Sequence, residues 1–532
     1  MFLFLLILFL APSALSLKVA TTSYGKVRGI TVWSDDNNHK YVFKSIPFAK
    51  PPLGDLRFAK PEDPDPWDHV LDASKYSFAC MSNNTRSKYQ KKTSEDCLYI
   101  NVFTSERCFA KHCAVIVYFH GGAFKLDSAV MFDDTFILER YVSEDVIFVI
   151  PAYRLGAFGQ LYLGPNGVLS ENLLLFDNVK ALQFVHNEIE NFGGDPNRVT
   201  IMGHSAGGTL IDALGFSKMI DPDASFFQQM ITLSGQGEYG FYDVAVNISY
   251  NLVERVGCMP ENQNRSFANI GDIMNCMRKT DAIDILKVQT EMIDEDEINF
   301  KSIIRGAPFM ELNGLISDLK KNVPKRNMIC GSTQLEYKND PYEFHAAGTF
   351  IDLENPHEVV EHYYESMKGK GITQKIIYTN CRIQENKWID PLSSAIYISA
   401  RTYCEAVALS SGNSYLFETW QKPFSSHLTD MQYFIGIHRE KIHTPDMDIL
   451  DSFYSKLLVN FTRTGIPSPD WEKLDPKRMN YLELKVDSEL NEGPVMRENY
   501  HDELFKYWMG PVKEYDINVT KWVKLETVDV VK

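Results

Sequence analysis

The sequence predicts an α/β fold, with one large, mostly parallel central sheet and helices on both faces. Three observations predict it. Short apolar runs that do not alternate, such as Ala114–Phe119 (AVIVYF) and Val146–Pro151 (VIFVIP), are what strands buried on both faces require. Segments of helical period lie between such runs, and strands separated by helices pair in parallel. The chain is also long and apolar enough to cover such a sheet: its 532 residues are 44% hydrophobic and 23% charged, which excludes wholesale disorder.

Taken in order, Met1–Leu10 (MFLFLLILFL) is apolar throughout, and small residues follow at Ala14 and Ser16. The stretch is too short to span a bilayer and reads as a signal peptide over residues 1–16, though no basic residue precedes its apolar part. Residues 17–532 then read as a single domain without repeats or low-complexity linkers. No second apolar stretch of transmembrane length follows, and the tail is polar, so no stable membrane anchor is expected. Asn172–Asn191 carries Leu173, Phe176, Val179, Leu182, Val185 and Ile189 on one side and predicts a helix. Arg198–Gly203 (RVTIMG) predicts a strand, followed by a turn of small residues and a helix from Ala206. Met230–Ser234 and Asn327–Gly331 predict further strands; Ser414–Trp420 (SYLFETW) alternates and predicts one more. The acidic stretch Glu291–Glu297 predicts a solvated helix or loop.

Composition narrows the partners and the compartment. Lys+Arg total 54 against 70 Asp+Glu, and the net charge of −16 repels phosphate backbones, which excludes nucleic acid as a partner. Sequons stand at Asn83, Asn247, Asn264, Asn460 and Asn518. The nine cysteines are scattered without a C-x-x-C pair, so no zinc ribbon or thioredoxin-type motif is indicated. Together with the leader, these features point to a secreted, disulfide-bonded glycoprotein.

The chemistry is concentrated in Gly203-His204-Ser205-Ala206-Gly207-Gly208, a G-x-S-x-G set between a strand and a helix. A tight turn at this spacing lifts the serine hydroxyl above the sheet. The flanking glycines let the neighbouring elements close on it, and the Ala206 N–H faces where an oxyanion forms. Upstream, His120-Gly121-Gly122-Ala123-Phe124 follows the AVIVYF strand and offers further backbone N–H groups to that oxyanion; His120 reads as a loop-packing residue rather than a base. Two other patterns are set aside. Gly235–Gly240 fits G-x-G-x-x-G but lies mid-chain beside the serine turn. His357 and His362 are spaced i, i+5, roughly 140° apart on a helix, and do not form a zinc pair, so no metal or cofactor is expected.

These residues resemble the type-B carboxylesterase/cholinesterase family of α/β-hydrolases. The resemblance is carried by Tyr24–Gly29 (YGKVRG), Ile46–Leu53 (IPFAKPPL), Ser94–Asn101 (SEDCLYIN), Tyr153–Gly159 (YRLGAFG) and Asn191–Gly208, in the family's order. It implies the remaining members of a Ser-acid-His triad: Glu336, in ICGSTQLE, and His427, in FSSHLTD, beside the nucleophile Ser205. Gly122, Ala123 and Ala206 are the implied oxyanion donors. Implied disulfides are Cys80–Cys97 and Cys258–Cys276; the pairing of Cys108, Cys113, Cys330, Cys381 and Cys404 stays open, one arrangement being Cys108–Cys113 and Cys381–Cys404 with Cys330 left over. Between Cys80 and Cys97 the loop is basic and lacks the tryptophan that binds quaternary ammonium in cholinesterases, which argues against acetylcholine.

Four departures from the family pattern stand out. His204 precedes the nucleophile where Glu is usual; it is a rival base by position, though adjacent residues on a tight turn point apart. Ala123 replaces the last glycine of the oxyanion loop, Arg305 stands where Asp is common, and Leu428 and Tyr337 replace glycines after the histidine and the acid. The resulting expectation is a secreted serine carboxylesterase acting on a small-molecule ester. The alternative is a catalytically silent adhesion or binding protein on the same scaffold.

Overall fold

The computed structural model describes residues 17–516 except 33–37, 84–89, 91, 166–167, 236–238, 241, 261–263, 266–267, 295–299, 301–302, 305, 307, 310–318, 320–322, 337–380, 384–386, 390, 411, 424 and 439–442. The leader, Arg305, Tyr337, the His357–His362 segment, Asn518, residues 295–297 of the acidic stretch and 236–238 of the glycine motif therefore lie outside the described residues.

Thirteen strands form one sheet: β1 (Lys18–Thr21), β2 (Lys26–Val32), β3 (Lys40–Pro47), β4 (Val70–Asp72), β5 (Tyr99–Ser105), β6 (Cys113–Phe119), β7 (Val146–Pro151), β8 (Gly194–His204), β9 (Gln229–Leu233), β10 (Asn327–Thr333), β11 (Ser414–Thr419), β12 (Tyr481–Leu484) and β13 (Val495–Arg497). Their order is β1-β2-β3-β5-β7-β6-β8-β9-β10-β11-β12-β13, with β4 beside β2. From β7 to β12 every neighbouring pair is parallel. β1, β2, β3 and β5 are antiparallel to their path neighbours, as is β13 to β12.

The apolar runs fall in the parallel centre, where all residues of β6 and β7 are buried. β11 is buried along its whole length too, so its alternation of polar and apolar residues does not mark a solvent face. Glu418 is tolerated there because His501 and the Trp420 indole bond its two oxygens. The predicted helix after Asn172 is α1 (Leu173–Glu188), which tightens into a 3₁₀ turn over Ile189–Phe192 and stops at Gly193, φ 85°. The elbow helix is α2 (Ala206–Gly215). Three further helices, α3 (Tyr242–Val256), α4 (Ile270–Lys279) and α5 (Ala282–Asp294), contribute Leu252, Ile273 and Ile285 to a second apolar cluster with Phe58 and Phe158. α6 (Pro391–Leu409) and α7 (Pro445–Thr464) follow. α7 is bounded by local chemistry: the Thr444 side chain accepts the Met447 N–H at its start, and Gly465 adopts φ 76° at its end.

Cys80–Cys97, Cys108–Cys113 and Cys258–Cys276 are disulfides. One expectation is corrected: Cys404 pairs with Cys330, not Cys381. The reason is topological. Cys330 lies in β10 and Cys404 in α6, which packs on that strand, and their Cα atoms are 6.1 Å apart. Asn83, Asn247, Asn264 and Asn460 are exposed. No helix among the described residues is long and apolar enough to cross a membrane.

Candidate active site

Ser205 sits where β8 turns into α2, with φ 58° and ψ −126°. Such a conformation is costly for a residue with a Cβ and persists only where its surroundings impose it. Here they do. The Ser205 N–H donates to Leu233 O at 2.9 Å, at the end of β9, and its carbonyl accepts from Thr209 N–H at 3.1 Å. The flanking glycines are required by close approach: a Cβ on Gly203 would lie 2.3 Å from Gly207 O, and one on Gly207 2.1 Å from Phe119 O.

The carboxyl ends of four adjacent parallel strands, β8 to β11, converge on this turn, as they do at ligand sites in α/β sheets. Glu336 lies just beyond β10, and His427 follows β11. The His427 Nδ1 is 2.7 Å from Glu336 Oε2, and its Nε2 is 2.8 Å from Ser205 Oγ. An ionised carboxylate only accepts, so Nδ1 carries the imidazole proton and Nε2 offers its lone pair to the serine hydroxyl. Glu336 Oε1 accepts from the Thr333 N–H and from the Ser234 hydroxyl, both at 2.7 Å. All three expected triad residues are buried. Burial lowers the His427 imidazole below the ordinary histidine value, favouring its neutral form. Burial also raises the Glu336 carboxyl, and the Thr333 and Ser234 donors oppose that rise.

Behind Glu336, the Tyr397 hydroxyl on α6 donates to Gln334 O at 2.9 Å, lies 3.1 Å from Thr333 O and accepts the Glu336 N–H at 3.4 Å. The Tyr397 ring stacks on His501 at 3.7 Å between centroids. Neither Ser234 nor Tyr397 was identified from the sequence. Ser234 had a usable signal, since it ends a predicted strand next to the elbow strand; Tyr397 had none.

Gly122 (φ 104°) and Ala123 (φ 50°) turn the loop expected to bind the oxyanion, and neither amide has an acceptor among the described residues. A Cβ on Gly122 would meet Leu126 O at 2.4 Å. Ala123 holds the left-handed conformation that the replaced glycine would adopt without cost. Ala206, fully buried, opens α2 directly after Ser205. His120 is buried, its Nδ1 bonds Gly121 O at 2.8 Å, and its ring stacks on Tyr153 at 4.4 Å; burial lowers it to about 4. The His204 Nε2 lies 2.7 Å from the His427 carbonyl oxygen, so this nitrogen donates and is not free to act as a base.

The chain is similar to known proteins over most of its length. The model of the Carboxylesterase family matches residues 16–508. The chain is 31% identical to the para-nitrobenzyl esterase of Bacillus subtilis (strain 168), over 85% of this chain and 91% of that protein. It is 28% identical to esterase cest-33 of Caenorhabditis elegans, over 86% and 88%. It is 37% identical to the juvenile hormone esterase of Tribolium castaneum, where the match spans 49% of this chain and 43% of the relative. With its mixed sheet flanked by helices and its serine at the strand–helix turn, the chain belongs to the carboxylesterase family and has the α/β-hydrolase fold.

Proposed function

We propose that the protein is a secreted carboxylic-ester hydrolase working through Ser205, His427 and Glu336. The observation that carries this reading is the unbroken hydrogen-bond chain from hydroxyl to imidazole to carboxylate, at 2.8 and 2.7 Å. In the first half-reaction His427 Nε2 removes the Ser205 proton as Oγ bonds to the ester carbonyl carbon. Glu336 stabilises the imidazolium that forms. The Gly122, Ala123 and Ala206 amides take the negative charge that develops on the carbonyl oxygen. The C–O bond to the alcohol then breaks, and His427 returns its proton to the leaving oxygen. Water, deprotonated by the same imidazole, hydrolyses the acyl-enzyme and restores Ser205.

The leader, four disulfides and four exposed sequons support synthesis in the secretory pathway, as a single catalytic domain after cleavage near Ser16. The silent adhesion-protein reading has no interrupted triad to support it, since nucleophile, base, acid and oxyanion amides are all present. Turnover of a short-chain aryl ester by the native chain and by Ser205→Ala separates the two. The hydrolase reading predicts a loss of at least about 10³-fold in kcat for the variant; equal rates would overturn it.

A further inference from the structure

His204 occupies the position directly before the nucleophile, yet it acts on a distant part of the chain. We propose that His204 is a positioning residue: by donating from Nε2 to the His427 carbonyl, it ties the serine turn to the histidine loop. The inference rests on the triad reading above and extends it.

The geometry gives His427 anchors at both ends of its backbone. Its N–H donates to Glu336 O at 3.0 Å, and its carbonyl accepts from His204 at 2.7 Å. Its two ring nitrogens are engaged by Glu336 and Ser205. Ser205 and His427 are 222 residues apart in sequence, so tertiary contacts set their approach. The direct Nε2–Oγ bond is a poor anchor, because acylation dissolves it: the proton leaves the serine, and the imidazolium turns to the leaving oxygen. The His204 bond involves neither reacting atom and persists through that exchange. His204 is peptide-bonded to Ser205, so any movement of the histidine loop is resisted from the nucleophile's own turn.

The ring itself is held in place. His204 is 1% exposed, its centroid lies 4.9 Å from that of His427, and Phe434 packs at 5.9 Å. A carbonyl oxygen only accepts, so Nε2 bears the proton of the neutral ring. An ionised glutamate, the usual residue of the resembled family here, has no proton to give to that carbonyl. The contact therefore belongs to histidine, or to a side chain that carries an N–H to the same point.

The test compares the native chain with His204→Gln, His204→Asn and His204→Leu in aryl-ester turnover, with thermal melting as a check on folding. Gln carries its amide nitrogen about as far from the backbone as Nε2, whereas the Asn amide stops near the Nδ1 position. A misplaced base at fixed substrate affinity predicts that kcat falls about 10–100-fold in the Leu and Asn variants with KM within about twofold, while Gln recovers to within about threefold of native. Native kcat in folded Leu and Asn variants would overturn the inference, as would a Gln variant as slow as Leu, which would mark the role as packing. If Leu does not fold, the Asn–Gln pair decides. Native turnover with unchanged variants overturns this inference alone, whereas no turnover by the native chain overturns the triad reading and this inference with it.

Discussion

Ser205 is held at φ 58° by bonds from the strand end and the following helix turn, and that strain exposes its hydroxyl to His427. The imidazole is kept neutral by burial, and the buried carboxylate at 2.7 Å opposes that effect by favouring the imidazolium. The sign of the pH response follows. The proposed mechanism requires neutral His427, so kcat/KM should fall on the acid side as the ring takes up a proton. Glu336→Gln removes the opposing anion, lowers the imidazole further and should move that acid limb to lower pH. The same change should cut kcat by about 10³–10⁴-fold, because an amide can fix the wrong tautomer. A pH profile of the variant checks both; an acid limb displaced to higher pH would contradict the assigned role of Glu336.

Elements differ in how far the sequence alone determines them. β6 and β7 were legible because burial on both faces leaves an uninterrupted apolar run, and the elbow because its turn needs glycines at fixed offsets. β11 was legible as a strand, but not as a fully buried one, because the partners that satisfy Glu418 include His501, 83 residues away. Glu336 and His427 were readable only through resemblance, since nothing local distinguishes them. Ser234 and Tyr397 act on the Glu336 turn from 102 and 61 residues away. The Cys330–Cys404 pairing escaped for the same reason, as it depends on which strand α6 covers. One element contact yields a stability prediction. Arg154, beyond β7, is bonded three times by Asp177 of α1, at 2.7–3.0 Å, with the two side chains 3% and 0% exposed. Asp177→Ala strands a buried cation and should destabilise the fold by about 3–5 kcal/mol in denaturant unfolding. A change under about 1 kcal/mol would show that the pair does not brace α1 against the sheet.

At the scale of the whole molecule, a net charge of −16 gives the chain a negative overall field. Production in a secreting eukaryotic cell should give a chain that begins near Leu17, with glycan on the exposed Asn83, Asn247, Asn264 and Asn460. Peptide mapping by mass spectrometry checks this; an intact Met1 with bare sequons would contradict secretion. The account as a whole depends on Ser205 being the atom that bonds to substrate. The most direct measurement is covalent labelling with an organophosphate, followed by peptide mapping of the native chain and of Ser205→Ala. The account predicts one phosphyl group per chain, on Ser205, and none on the variant. A label on another residue, or an unlabelled native chain, would contradict it.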